Sequence, residues 1–472
     1  MVEDGKVKYI DDFDRIMGGS EKKVDLGGNF VLPGFIDSHT QLVEEGLDME
    51  RVNLFEEETL ESVQYYLEKD ASETPEGEWV VGVNFDESAW KSTGYPTKED
   101  LDEVTEDHPL VIKRICGHLA VANSKALEMI SEDWEKVNRD NGLLKENVVW
   151  NLDDIMSITK EEKIDAIKRA IKKVHSNGVT SVHDVVDLSD WEAYEELDEK
   201  EDLNLRVNCY LHYDESDGLS PKDVSEFLSL KGLKMYADGS IGARTAALHE
   251  EYADDEGNRG TLLLSREEME EIIKNAEEQD FQMMTHAIGD RAISTVLDAF
   301  ENASQRCEEL RHRIEHAEML WEDNIKRIRD LSMVLSTQPN YAYKWSSSTD
   351  MNEKRLGKER LKKCNPYWDI QRALIDMAFG SDNILLSPLF NIYCATNHPI
   401  LNQRISTYNA LKSYTSAGAF ASRNEDSYGS FEEGKLADFV VLTENPLEAE
   451  DVRDIQVKMT VVGGNIVYDD RE

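Results

Sequence analysis

An α/β barrel of eight parallel strands, (β/α)8, is the fold class this sequence predicts, joined by a smaller β-domain built from the two chain ends. Three observations carry that reading. Apolar segments of strand length recur eight times, with amphipathic helical segments filling most of the gaps, as in a parallel sheet that closes on itself. Several of these strands end on His or Asp, where a barrel of this kind gathers its chemistry. Both chain ends carry short strand signals set between Gly-rich turns.

Residues 1–30 hold strand signals in GKVKYID and KKVDLGGNFVL, matched at the far end by GKLADFVVLTENP (434–446) and VKMTVVGGNIVYD (457–469). Their simplest pairing is one small domain from 1–30 and 425–472, with the barrel over 31–424. The barrel opens on VLPGFIDSHTQLV (31–43), where Val31, Leu32, Phe35 and Ile36 read as a short buried strand cornered at Pro33-Gly34. The strand leaves the core at Asp37-Ser38-His39-Thr40-Gln41.

From about 44 to 178 the pattern is mostly helical and charged, and KEEKIDAIKRAIKKVHSNG stops on a basic last turn and Gly178. So long an excursion between neighbouring strands predicts an inserted subdomain at about 50–150. Within it, WVVGVNFDESAW and PLVIKRICGHLAVANSKAL bring Trp90, Cys116, His118 and Asn123 as candidates to line a pocket from above. The remaining seven strands follow Gly178. They are VTSVHD with His183-Asp184, LRVNCYLHYD with His212, LKMYADGS with Lys234 and Asp238, and FQMMTHAIGD with His286. RHRIEHAEM carries His316, SMVLSTQPN ends in Gln338, and IDMAFGSDN ends in Asp382.

Hydrophobic residues make up 40% of the 472 positions, ample for a packed core, although 97 Asp and Glu against 52 Lys and Arg leave a net charge of −45. That charge argues against nucleic-acid or anionic-membrane partners. The carboxylates are spread along the chain, the surface a salt-rich cytoplasm favours because salt screens self-repulsion, so a halophilic protein is expected. Five scattered cysteines without CxxC spacing point away from disulfides or a Cys–zinc knuckle. With no signal peptide and no apolar run near 18 residues, a cytoplasmic location is expected.

Histidines and a carboxylate converging on one barrel mouth are ligands suited to a zinc-like ion, which lowers the pKa of a bound water to near 7. The carboxylate would orient that water and move its proton. Metal-assisted hydrolysis is therefore the chemistry these residues favour.

The motifs PGFIDSHTQL, GHLAVANSKAL, GVTSVHD, KMYADGSIGARTAAL, MTHAIGDRAI, RHRIEHAEM, STQPN, FGSD and GSFEEGKLADFVVL run in order through nearly the whole chain. In this the sequence resembles the amidohydrolase superfamily, specifically the YtcJ-like branch that includes N-substituted formamide deformylases. The resemblance implies a TIM-type barrel, a small β-sandwich from both termini, and one or two divalent metals, usually zinc, with manganese as an alternative. It implies His39, Lys234, His286, His316 and Asp382 as metal ligands, with Lys234 carboxylated to bridge two ions and Asp382 also the catalytic proton shuttle. His118, Arg244, Gln338 and Trp90 would sit near substrate, and His183 and Asp184 would support the site. His108, His175, His249, His312 and His398 are assigned no catalytic part.

Three departures qualify the match. Where the family has His-x-His, this chain has His39-Thr40-Gln41. Gln41 is a poorer zinc ligand than imidazole, so the site nearest the first strand should be weakened, leaving one tightly held ion on Lys234, His286 and His316. The amino end is short by a strand or two, and NILLSPLFNIYCATNHP after Asp382 departs from the family's proline-rich pattern. The expected function is a metal-dependent hydrolase of a C–N (amide or carbamate) or related acyl bond. Its alternatives are a lactonase or carboxylesterase on the same site, or a catalytically impaired ligand-binding barrel. The partner is a small-molecule substrate, with a homodimer as the common default.

Overall fold

The computed structural model describes residues 1–10, 23–90, 94–132, 134, 136–347 and 351–470. Eight parallel strands follow one another around a barrel in chain order. They are β1 (Phe35–Thr40), β2 (Val179–Val186), β3 (Arg206–His212), β4 (Leu228–Tyr236), β5 (Gln282–Ala287), β6 (Arg313–His316), β7 (Val334–Thr337) and β8 (Met377–Phe379). All eight strands expected from the sequence are present. Their runs are buried on both faces, as β2 illustrates with no exposed residue along its length.

No backbone ladder joins β8 to β1 in the sheet path, and the seam closes by other means. Asp382 N donates to His39 O at 2.9 Å, and Ser381 N donates to the Asp37 carboxylate at 2.9 Å. A side chain thus supplies part of the pairing that the eighth strand contact would otherwise need.

The helices form where propensity and periodicity agree. The helix α1 (Leu42–Asp48) follows β1, and α2 (Lys160–Ser176) leads into β2. In α2, Ile164, Ile167, Ile171 and Val174 recur at helical spacing and turn inward, Thr159 and Glu162 close a capping box, and the chain leaves through Gly178 at φ 80°. The barrel core runs from Phe35, Val179 and Val207 through Met283, Ile314 and Leu335 to Phe379.

Two expectations need correction. The apolar run over 31–36 is not one strand: Phe30–Pro33 pairs antiparallel with Phe439–Leu442 in the terminal sheet, and the barrel strand starts afresh at Phe35 after the Pro33-Gly34 corner. The stretch after α1, read as mostly helical, contains a six-stranded mixed sheet over 52–145, built on Val80–Phe85, Leu110–Arg114 and Leu119–Ala122. These strands bury their own apolar set, including Leu54, Leu67, Phe85 and Ile112, apart from the barrel core.

The chain ends meet in a four-stranded antiparallel sheet of Phe30–Pro33, Phe439–Leu442, Val457–Val462 and Asn465–Asp469. A hairpin of Val2–Glu3 and Lys6–Val7 joins it where Val7 N donates to Lys435 O. Asp11, the tail of the first strand signal, lies outside the described residues. Among the described residues all five cysteines are free, and no helix is long and apolar enough to cross a membrane.

Candidate active site

The C-terminal ends of β1, β6 and β8 bring His39, His316 and Asp382 together. One ligand atom from each lies within 4.8 Å of the others, and both imidazoles are buried. His316 and Asp382 stand at positive φ (66° and 51°), a region sparsely populated by residues with a β-carbon, so the surrounding packing imposes their aim.

The tautomer of His39 is fixed from inside the barrel. Its Nδ1 lies 2.5 Å from Glu315, which is held in turn by Arg313 at 2.6 and 3.0 Å. Burial alone would raise the Glu315 carboxyl, but the Arg313 guanidinium outweighs it and holds Glu315 well below the usual carboxylate range. The ionised Glu315 accepts a hydrogen bond from Nδ1–H, leaving the Nε2 lone pair of His39 facing Lys234 (3.4 Å) and Asp382 (3.7 Å). Burial, helped by Lys234, lowers the His39 imidazole pKa, which keeps the ring neutral.

His316 is arranged in the same way. Its Nδ1 faces Gln338 Oε1 at 2.8 Å, and burial pushes its pKa down to about 3. His286 packs against it with ring centroids 4.5 Å apart and faces the Gly239 carbonyl through Nε2 at 3.2 Å. Lys234 is buried and lies over the Tyr236 ring; burial lowers its pKa to about 8. Neutral imidazoles and a carboxylate form a donor set that could hold a divalent cation, with Lys234 and His286 beside it.

Two cavities flank the cluster. The larger, about 650 Å³, is lined by Gln41, Trp150, Lys234 and Tyr236 among others. The smaller, about 40 Å³, is bounded by His118, His286, His316, Tyr341 and Asp382. Tyr341 OH donates to Asp382 Oδ2 at 2.7 Å. Burial raises the Asp382 carboxyl, but the imidazoles of His39 and His316, the Tyr341 hydroxyl and Lys234 bring it below the ordinary value. His118 pairs with Glu146 at 2.7 Å; burial opposes its charge, yet Glu146 prevails and raises the pKa to about 9.

The profile of the amidohydrolase family matches residues 22–468. The chain belongs to this family. Among relatives of this amidohydrolase, the Bacillus subtilis protein YtcJ is 28% identical over 99% of the chain and 95% of its own length. N-substituted formamide deformylase of Arthrobacter pascens is 24% identical over 99% and 94%. The crystal structure of an uncharacterized metal-dependent hydrolase from Pyrococcus furiosus superposes with a TM-score of 0.77 at 29% identity, covering 95% of each chain.

On this amidohydrolase barrel the structure gathers His39, Lys234, His286, His316, Asp382, Gln338 and His118 at one mouth. Gln41 caps α1 beside them, its backbone exchanging hydrogen bonds with Asn383. It does not bring Arg244 or Trp90 to either cavity. Arg244 is ion-paired to Asp254 at 2.8 Å, a carboxylate it shares with Arg355. Trp90 packs on Phe85 in the inserted domain and donates to Glu57 O. His183 accepts from Arg313 Nη1 at 2.8 Å, and Asp184 accepts from Thr40 Oγ1 and Leu42 N, holding the exit of β1. His108, His175, His249, His312 and His398 make their contacts elsewhere.

Sequence reasoning passed over Glu315, Arg313, Tyr341 and Glu146. The first two had a signal: Arg313 and Glu315 are two apart on a buried strand, so they share a face and each requires a partner there. Glu146 had none, because only tertiary contact sets it against His118.

Proposed function

We propose that this amidohydrolase hydrolyses the C–N bond of an amide or carbamate at a divalent-metal centre, with zinc as the first candidate ion and manganese as the second. The single observation that carries the reading is the convergence of the buried His39 and His316 with Asp382 within 4.8 Å at the ends of barrel strands. The donor chemistry fits such an ion, which His39, His316 and Asp382 would hold with Lys234 and His286 completing the set; carboxylation of Lys234 would add an anionic oxygen. When bound, the ion would polarise the substrate carbonyl and lower the pKa of the attacking water.

The chain's own residues would perform the rest. Glu315 and Gln338 hold the two imidazoles in one tautomer and orientation, so their lone pairs need no reorganisation. Asp382, fixed by Tyr341, takes the proton from the attacking water and delivers it to the departing nitrogen. His118, charged through Glu146, is suited to donate a hydrogen bond to the carbonyl oxygen from the small cavity. That cavity, about 40 Å³, suits a short acyl group, while the larger one has room for the remainder of the substrate. The Arthrobacter relative is an N-substituted formamide deformylase, which favours C–N cleavage over the ester and lactone alternatives.

Protein purified in molar KCl without chelator should carry at least one divalent ion per chain. Its removal should abolish hydrolysis of a panel of N-acyl anilides, and zinc or manganese should restore it. Asp382→Asn should reduce kcat by about 10²–10⁴-fold, the loss expected for a general base. Full activity in metal-stripped protein would overturn the proposal. So would a loaded enzyme that turns over esters and lactones but no amide.

A further inference from the structure

The small cavity beside the candidate metal ligands is bordered by a polar side chain that the mechanism above does not use. Asn352 faces this space of about 40 Å³ together with His118, Ile241, Ile288, Glu318 and Trp345. It is 2% exposed, and among the described residues its Oδ1 has no hydrogen-bond partner. Its Nδ2 donates to Ser346 Oγ at 2.9 Å, and Ser346 does not border the cavity. The free end of the amide is therefore an acceptor, and the cavity is where a donor could reach it.

Neighbours on both sides hold Asn352 in place. It stands in the short helix Met351–Leu356. Met351 packs with Ile115, Trp345 and Ile384, and Arg355 is ion-paired to Asp254. An acceptor fixed in this way does not turn out to water, and a buried acceptor left unpaired is destabilising. Glu318 offers a second acceptor to the same space, since its Oε2 has Asn365 Nδ2 no nearer than 3.5 Å.

In the reading proposed above, the acyl group of the substrate enters this cavity. One water-sized probe fills about 10–15 Å³, so the space admits about one or two non-hydrogen atoms beyond the carbonyl. A formyl hydrogen or an acetyl methyl would fit and would leave Asn352 Oδ1 unpaired. The ammonium of a glycyl group would have to shed its water among Ile241, Ile288 and Trp345, with the buried Arg114 guanidinium on the same wall. A neutral NH2 on the carbonyl is small and planar, and it offers one N–H to Asn352 and one to Glu318.

We infer that Asn352 selects a carbamoyl group as the acyl part, which makes the substrate an N-substituted urea. This rests on the amide-hydrolase reading of the site and narrows it. The oxygen of water bonds to the urea carbonyl carbon, the C–N bond to the substituted amine breaks, and that amine leaves with the proton Asp382 delivers. The other product, carbamic acid, decomposes to carbon dioxide and ammonia, so each turnover yields one amine and one ammonia and consumes one water.

The test compares phenylurea with acetanilide on zinc-loaded protein in molar KCl. A urea and an anilide differ in intrinsic reactivity, so the quantity read is the ratio of their kcat/KM values within each protein. That ratio is independent of how much of a variant folds. Wild type should release aniline and ammonia from phenylurea in equal amounts. Asn352→Leu should lower the ratio by about 10-fold or more, the discrimination lost with one buried hydrogen bond. Asn352→Ala, which removes the amide with less risk of a clash, should give the same fall. Asn352→Asp keeps an acceptor oxygen and should hold the ratio within about threefold of wild type. Wild type that cleaves acetanilide but not phenylurea would overturn the inference and leave the hydrolase reading standing. A ratio unchanged in both Asn352→Leu and Asn352→Ala would overturn it too. Zinc-loaded wild type that cleaves neither compound would remove the hydrolase reading and the inference with it.

Discussion

At the scale of single residues, the site depends on polar partners that orient its imidazoles. Gln338 presents Oε1 to His316 while its Nε2 has no partner, so its one polar contact is the orientation of that imidazole. Gln338→Leu should weaken divalent-metal affinity by about 10–100-fold, read by competitive chelator titration, and leave the fold intact. The His118–Glu146 pair gives a pH signature. His118 has its folded pKa raised from 6.5 to about 9, so the pair's contribution is fully present below about pH 6.5 and is lost as pH rises through 9. That difference corresponds to roughly 3 kcal/mol. Melting of chelator-treated protein should fall across this window in wild type, and Glu146→Gln should flatten the fall.

At the scale of elements, the seam between β8 and β1 governs the position of His39. A β-carbon at Gly380 would lie 2.6 Å from both the Cβ and the backbone nitrogen of His39, and a backbone cannot swing away as a side-chain tip can. Gly380→Ala should therefore cost about 1–3 kcal/mol by overpacking and displace His39 from Asp382. Thermal unfolding and metal titration would read both effects, and an unchanged metal affinity would show that the strand ends adjust independently. The eight barrel strands were legible because continuous apolar runs bounded by turn residues need no knowledge of their neighbours. The inserted sheet was not. Its strands are short, they alternate with charged helices such as LESVQYYLEKDA, and their burial depends on one another.

For the whole molecule, the charge of −45 sets the working conditions. At about 0.15 M salt the Debye length is near 8 Å, whereas at 1 M it shrinks to about 3 Å, which removes most of the repulsion among exposed carboxylates. Melting temperature and activity should both rise with KCl toward molar concentrations. A maximum at low salt would mean that the acidic surface serves some purpose other than screening.

The sequence by itself determined the barrel, its strand order and the chemistry at the strand ends, because periodicity and residue type are local properties. His39, His286, His316 and Asp382 could each be placed at a strand end from the residues around them, and Lys234 through the family resemblance. Only the tertiary structure decided which of these meet. It set Glu315 on His39, Gln338 on His316 and Glu146 on His118, and it turned Arg244 and Trp90 to partners away from the cavities. The physical reason is that a buried polar group must find its partner across space, and the closing of the barrel decides where that partner lies.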